Sequence, residues 1–178
     1  MKYKELLMEA MELLAEHRYT FIGQSVKYKG TGLFWTLEER VPENQRIELP
    51  VQEDMQMGMS IGMNLVGMNI CSIYPRMDFL ILAYNQLFNH LDLMEEMSDG
   101  QFKPKIIIRT ARGSIKPLFP GAQHNKDHFK LLKENLKNVN VVKLENKKQI
   151  IPEYIKAMES KRSSLIIECP DLYETWQT

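Results

Sequence analysis

Long apolar runs are missing from this 178-residue chain, and so is an excess of either charge. Lysine plus arginine and aspartate plus glutamate number 23 each, leaving no global field to attract nucleic acid or an anionic lipid surface. No segment offers the roughly 18 consecutive apolar residues that a membrane-spanning helix needs. The N-terminal MKYKELLMEAMELLAEH mixes charged and apolar residues at helical spacing instead of building a signal-peptide core. Cysteine is scarce: Cys71 and Cys169, in or beside apolar runs, suit reduced thiols and a cytoplasmic protein better than a disulfide framework. Phosphate-binding signatures are poor. KGTGLF lacks the third glycine of the dinucleotide fingerprint, no Walker sequence occurs, and no Cys-His or Ser-His-Asp arrangement stands out.

What is there is an ordinary globular composition, 44% hydrophobic and 26% charged, in a length suited to one domain. Residues 2–16 read as an amphipathic helix with Leu6, Leu7, Ala10, Leu13 and Leu14 on one face. YTFIG (19–23) reads as a strand, 33–40 as a short helix, and RIELP as an extended piece broken by Pro50. A helix is predicted from Asp54 to Val66 with Gly67 as its stop, then a strand MNICSIY, then a long helix from about Phe79 to Met97 capped by Asp78. KIIIR (105–109) has the continuous apolar character of a strand buried on both faces. A Gly/Pro-rich loop over 110–123 leads to helix 127–135, strand VNVVKL, helix 148–158 and strand SSLIIEC, and the tail PDLYETWQT shows no obvious partner. Strands alternating with helices predict an α/β domain, a three-layer sandwich around a mostly parallel sheet. Ligands of such sheets bind beyond the strand carboxyl ends, which here means loops 24–32, 49–53, 74–79 and 110–126.

Glu53 and Asp54 open a helix otherwise made of methionine, glycine and aliphatic residues. They serve either as acids on the helix dipole or as a buried acid for proton chemistry. Gly58 and Gly62 share a helix face, which calls for close approach of another helix, subunit or cofactor. Met55, Met59 and Met63 form a stripe suited to core or interface filling. His124 and His128 have metal-ligand spacing but no third ligand nearby, so His124, just after the Gly/Pro loop, is better read as a residue for polar catalysis or substrate contact. Arg109 to Gly113, RTARG, reads equally as an anion contact or a solvated loop.

The segment LPVQEDMQMGMSIGMNLVGMNICSIYPRMDFLILAYNQLFNH resembles the pyrimidine-binding domain of thiamine-diphosphate-dependent enzymes, above all the 2-oxo acid dehydrogenase beta subunit and the transketolase middle domain. The pattern is carried by Pro50, Glu53, Gly58, Gly62, Gly67, Phe79, Asn85 and Gln86, with YTFIGQSV before it and MSDGQFKPKIIIRTARG and PGAQHN after it. It runs over roughly residues 4–168. The resemblance implies that Glu53 contacts the ring nitrogen of the cofactor's aminopyrimidine and that Phe79 stacks on that ring. His124 would face the substrate near the thiazolium, although the loop before it is longer than in the family pattern. Gln24 stands where the pattern has glutamate, able to hydrogen-bond near the cofactor but not to titrate.

The family's Gly-Asp-Gly with its later asparagine does not occur here. The resemblance therefore implies a separate, alpha-type diphosphate-binding subunit, thiamine diphosphate shared with it, and Mg2+ bound by that partner. A homodimer or α2β2 heterotetramer and a small-molecule carbonyl substrate follow. So does an oxidoreductase or transferase role, by 2-oxo acid decarboxylation or ketol or acyl transfer. The 178 residues read as one such domain without a C-terminal transketolase domain. Two rival readings are a non-catalytic interaction or regulatory subunit that keeps the fold, and an unrelated nucleotide-binding α/β domain.

Overall fold

The computed structural model describes residues 1–116 and 119–173. Its six strands are β1 (Tyr19–Gly23), β2 (Arg46–Glu48), β3 (Asn69–Tyr74), β4 (Ile106–Ala111), β5 (Asn140–Lys143) and β6 (Ser164–Glu168). They form one sheet in the order β2-β1-β3-β4-β6-β5, and every pairing is parallel. β4 and β6 sit at interior places and are buried along their whole length, so the apolar runs Ile106–Ile108 and Leu165–Ile167 replace the alternation of a half-exposed strand.

Successive side chains feed two cores. Phe21, Cys71, Ile73, Ile107 and Ile166 pack toward α1 (Tyr3–Glu16) and α6 (Ile150–Glu159). Ile22, Ile70, Ile108, Leu165 and Ile167 pack toward α2 (Glu53–Leu65), a helical run over 77–97 and α5 (Phe129–Asn135). The three-layer α/β sandwich anticipated from the sequence is therefore present. α1 buries Leu7, Ala10 and Leu14 of the expected face together with Tyr3 and Met11, while Leu6 and Leu13 are only half-buried, so the stripe is turned slightly from the expected one. Gly67 ends α2 with φ +94, a conformation that favours glycine. No described helix is long and apolar enough to cross a membrane.

Three local expectations about helices change. Residues 33–40 make a single 3-10 turn, Phe34–Thr36, rather than a helix. The run over 77–97 is helical but not uniform: α3 (Met77–Leu80), a 3-10 turn Ile81–Ala83, a π-helix Asn85–Leu91, then α4 (Met94–Met97). The changes of pitch leave Ala83, Leu87 and Leu91 all buried against the sheet. Asp78 does not cap this run. It lies inside α3, where its carboxylate accepts from the Lys126 N–H at 3.0 Å.

Arg109 is neither an anion site nor part of a solvated loop, because it sits inside β4 with 0% exposure. Its guanidinium pairs with Glu168 and donates to Thr36 Oγ1 at 2.8 Å, and Tyr173 donates to the same glutamate. Burial works against the charged guanidinium, and the adjacent Glu168 carboxylate outweighs it and holds the charge in place. The start of the tail, expected to lack a partner, is thus anchored through Tyr173; residues 174–178 lie outside the described part.

Candidate active site

The site begins with a glycine. At the end of β1, Gly23 has φ +151, and a Cβ there would overlap the Ile73 carbonyl oxygen of the neighbouring strand and crowd the Gln56 amide. Gln56, fully buried, donates to Ile73 O at 2.9 Å and to Ser72 Oγ at 3.1 Å, so α2 is hydrogen-bonded into the sheet beneath this point. The chain leaving Gly23 is then turned by Glu48. Its carboxylate accepts from the backbone N–H groups of Ser25, Val26 and Lys27, each at 2.7 Å, with Ser25 at φ 54. Three charge-assisted bonds to consecutive amides fix the loop after β1, and with it Gln24.

Gln24 Nε2 donates to Glu53 Oε1 at 3.1 Å. Glu53 is the first residue of α2 and only 5% exposed; its Oε2 has no hydrogen bond among the described residues. Glu53 is therefore a first-turn acid at a helix N-terminus and at the same time a buried carboxyl. The Tyr74 hydroxyl donates to Glu53 O at 3.4 Å, and burial pushes its ionisation well above the ordinary range, so it stays protonated.

These groups open onto a cavity of about 340 Å³ at the carboxyl ends of β1 and β3, lined by Gln24, Glu53, Phe79, Arg76, Val51 and Leu82 among others. This is the edge at which parallel sheets bind ligands. Three of the four predicted site residues, Gln24, Glu53 and Phe79, thus share one cavity. His124 does not line it. It packs edge-on to Phe79 with ring centroids 5.2 Å apart and an interplanar angle of 75°, and its buried Nδ1 has no hydrogen-bond partner among the described residues.

The loop that presents His124 is pinched shut at its base. Gly113 N–H donates to Lys126 O at 2.9 Å, and a Cβ on Gly113 would overlap the Asn125 backbone. Asp171, in the turn after β6, accepts from the Ile115 and Lys116 amides at 2.8 and 3.0 Å and pairs with Arg112 at 2.6 Å. Neither Glu48 nor Asp171 stood out in the sequence, since each acts on backbone amides brought near by the fold. Arg76 went unnoticed for another reason: nothing in YPRMDF marks it as facing the Glu53 cavity.

Of the remaining candidates, Met55 and Met59 are exposed on α2 while Met63 packs on the core. Gly58 faces Gln86, and the space over Gly62 is open. Among the described residues no group of three or more His, Cys, Asp or Glu is placed to hold a metal ion, His124 and His128 included.

No protein-family model matches the chain. Over 126 residues it is 31% identical to the pyruvate dehydrogenase E1 component subunit beta-3, chloroplastic, of Oryza sativa subsp. japonica, covering 68% of this chain and 32% of that protein. Over 107 residues it is 30% identical to the pyruvate dehydrogenase E1 component subunit beta of Gracilaria tenuistipitata var. liui, covering 59% of this chain and 32% of the relative. The matched stretch therefore spans about a third of the length of these curated relatives. Among solved structures, a split gene transketolase, inactive beta4 tetramer, superposes with a TM-score of 0.71 over 94% of this chain and 51% of its own; at 16% identity it bears on the fold alone. Sequence likeness and fold together uphold the resemblance: this chain has the architecture of the pyrimidine-binding domain of thiamine-diphosphate-dependent enzymes.

Proposed function

We propose that this chain is the pyrimidine-binding subunit of a split thiamine-diphosphate-dependent enzyme, acting on a carbonyl substrate at an interface with a diphosphate-binding, alpha-type subunit. The observation that carries the reading is Glu53, a nearly buried carboxyl at the head of α2 that opens onto a cavity shared with Phe79. These residues fit the aminopyrimidine end of the cofactor. Val51 and Leu82 supply apolar wall, Phe79 supplies an aromatic face, and Glu53 Oε2 is free of protein hydrogen bonds among the described residues. When bound, the cofactor supplies a thiazolium carbon able to add to a carbonyl.

This chain's part is proton management at the other ring. Glu53 exchanges a proton with the ring nitrogen, and Gln24, by donating to Oε1, keeps the carboxyl from rotating away. Tyr74 holds the Glu53 backbone, and Phe79 sets the plane in which the ring must lie. His124, edge-on behind Phe79, is assigned to the substrate side of the site, with its unpartnered Nδ1 available for a hydrogen bond. The diphosphate and Mg2+ belong to the partner subunit in this proposal.

The exposed Met55 and Met59 on α2 and Val66 just after it, beside the open surface over Gly62, support assembly with another subunit as a homodimer or α2β2 tetramer. The reaction is decarboxylation of a 2-oxo acid or transfer of a ketol or acyl unit, in the cytoplasm.

The test mixes the chain with its diphosphate-binding partner, thiamine diphosphate and Mg2+. Association that depends on cofactor, and a rate that falls more than about 100-fold in Glu53→Gln, are expected. A normal rate from that variant refutes the role given to Glu53. Equally tight association without cofactor would favour the non-catalytic interaction subunit, a reading that the glutamine at position 24 keeps open.

A further inference from the structure

Four arginines in the described part of the chain are buried or partly buried: Arg46, Arg76, Arg109 and Arg112. Three have partners in the fold. Arg46 donates to Val26 O, Arg109 pairs with Glu168, and Arg112 pairs with Asp171. Arg76 has none: its side chain makes no hydrogen bond or ion pair with any described residue, Glu53 included. It follows β3, at the N-cap position of α3, and lines the same cavity as Glu53 and Phe79.

The half-buried guanidinium faces a ligand cavity and has no partner among the described residues, so an anionic group of a ligand in that cavity is the partner that suits it. Charge narrows the choice. Arg76 is the one cation and Glu53 the one acid among the residues lining this cavity. A single guanidinium balances one negative charge, and its planar fork matches a carboxylate through two parallel N–H···O bonds. A phosphate dianion would leave a second charge uncompensated beside Glu53.

We propose that Arg76 is a specificity-determining residue that binds a carboxylate on the carbonyl substrate. The inference rests on the proposed function, in which the carbonyl substrate reacts beside the ring that this cavity receives, and it selects carboxylate-bearing substrates over neutral or phosphorylated ones. Such an ion pair is made as fully before the reaction as during it, so it acts on KM and leaves kcat nearly unchanged.

The experiment uses the full chain, alone and in the assembled complex, with three probes: pyruvate, its neutral methyl ester and inorganic phosphate. The Arg76 Nε–H resonance should shift saturably with pyruvate, not with methyl pyruvate, and less with phosphate. Arg76→Gln should weaken pyruvate binding about 10- to 100-fold, with Arg76→Lys in between, while thermal unfolding and cofactor-dependent assembly stay as in the parent. The proposal is overturned if methyl pyruvate binds as well as pyruvate, if Arg76→Gln binds pyruvate as the parent does, or if pyruvate gives no saturable shift in either form. It is likewise overturned if Arg76→Gln weakens assembly, for then the guanidinium pairs with the partner subunit. Saturable pyruvate binding together with a normal rate from Glu53→Gln would remove the proposed enzymatic role of Glu53 and leave the carboxylate site standing.

Discussion

Gly23 is dictated by space and by backbone angle together. No other residue clears the Ile73 carbonyl at φ +151, and the loop that carries Gln24 starts there. Gly23→Ala is expected to cost about 1–3 kcal/mol of stability, read as a lowered denaturation midpoint, with α2 displaced through Gln56. Cys71 offers a second check at this scale. Fully buried under the sheet, its thiol is pushed up to about 12 by burial, so iodoacetamide at pH 8 should leave it unlabelled in the native chain and label it on unfolding. Glu53 and Phe79 were legible from sequence because the local pattern around them is itself distinctive. Arg76 and Glu48 were not, since their meaning depends on which loops the fold brings together.

The element whose behaviour is most open to test is the loop over 113–126. It is held by Asp171 on one side and by Asp78 on the other. Burial disfavours the Asp171 carboxylate, but bonds from the Lys116 and Ile115 amides and the Arg112 guanidinium outweigh this and hold its ionisation below the ordinary carboxylate range. The folded value is therefore lower than the unfolded one. The latch contributes fully above the ordinary carboxylate range and is lost as pH falls through that range and below it. Amide exchange at Ile115 and Lys116 should accelerate as pH is lowered toward 3, beyond the change in intrinsic exchange, and Asp171→Asn should show the faster exchange already at neutral pH. Elements with a strong period, such as α1 and β4, could be read from the chain directly. The pitch changes over 77–97 and the 3-10 turn at 34–36 could not, because tertiary packing rather than local propensity decides them.

At the scale of the whole molecule, the α1/α6 side of the sheet is organised around a buried charge pair. Arg109 and Glu168 tie β4 to β6, and Thr36, Tyr154 and Tyr173 reach the same pair from three other segments. Removing one partner strands the other charge, so Arg109→Met should destabilise by about 3–5 kcal/mol, while Arg109→Met with Glu168→Leu should cost less than the sum of the two single changes. Equilibrium denaturation of the cycle would show this; additive costs would mean the two charges act independently. The parallel sheet and its two-sided helical cover were within reach of strand–helix alternation, whereas the strand order was not, and this long-range pair was hidden in RTARG, where an arginine near glycine looks like loop.

In the proposed function, one carboxyl works against a ring held jointly with another subunit. The most direct measurement is deuterium exchange at the thiazolium C2–H of thiamine diphosphate bound to the assembled complex, quenched and read by NMR, for the parent and for Glu53→Gln at matched cofactor occupancy. Exchange slowed by more than about 100-fold in the variant is the expected result. Exchange at the parent rate would contradict it.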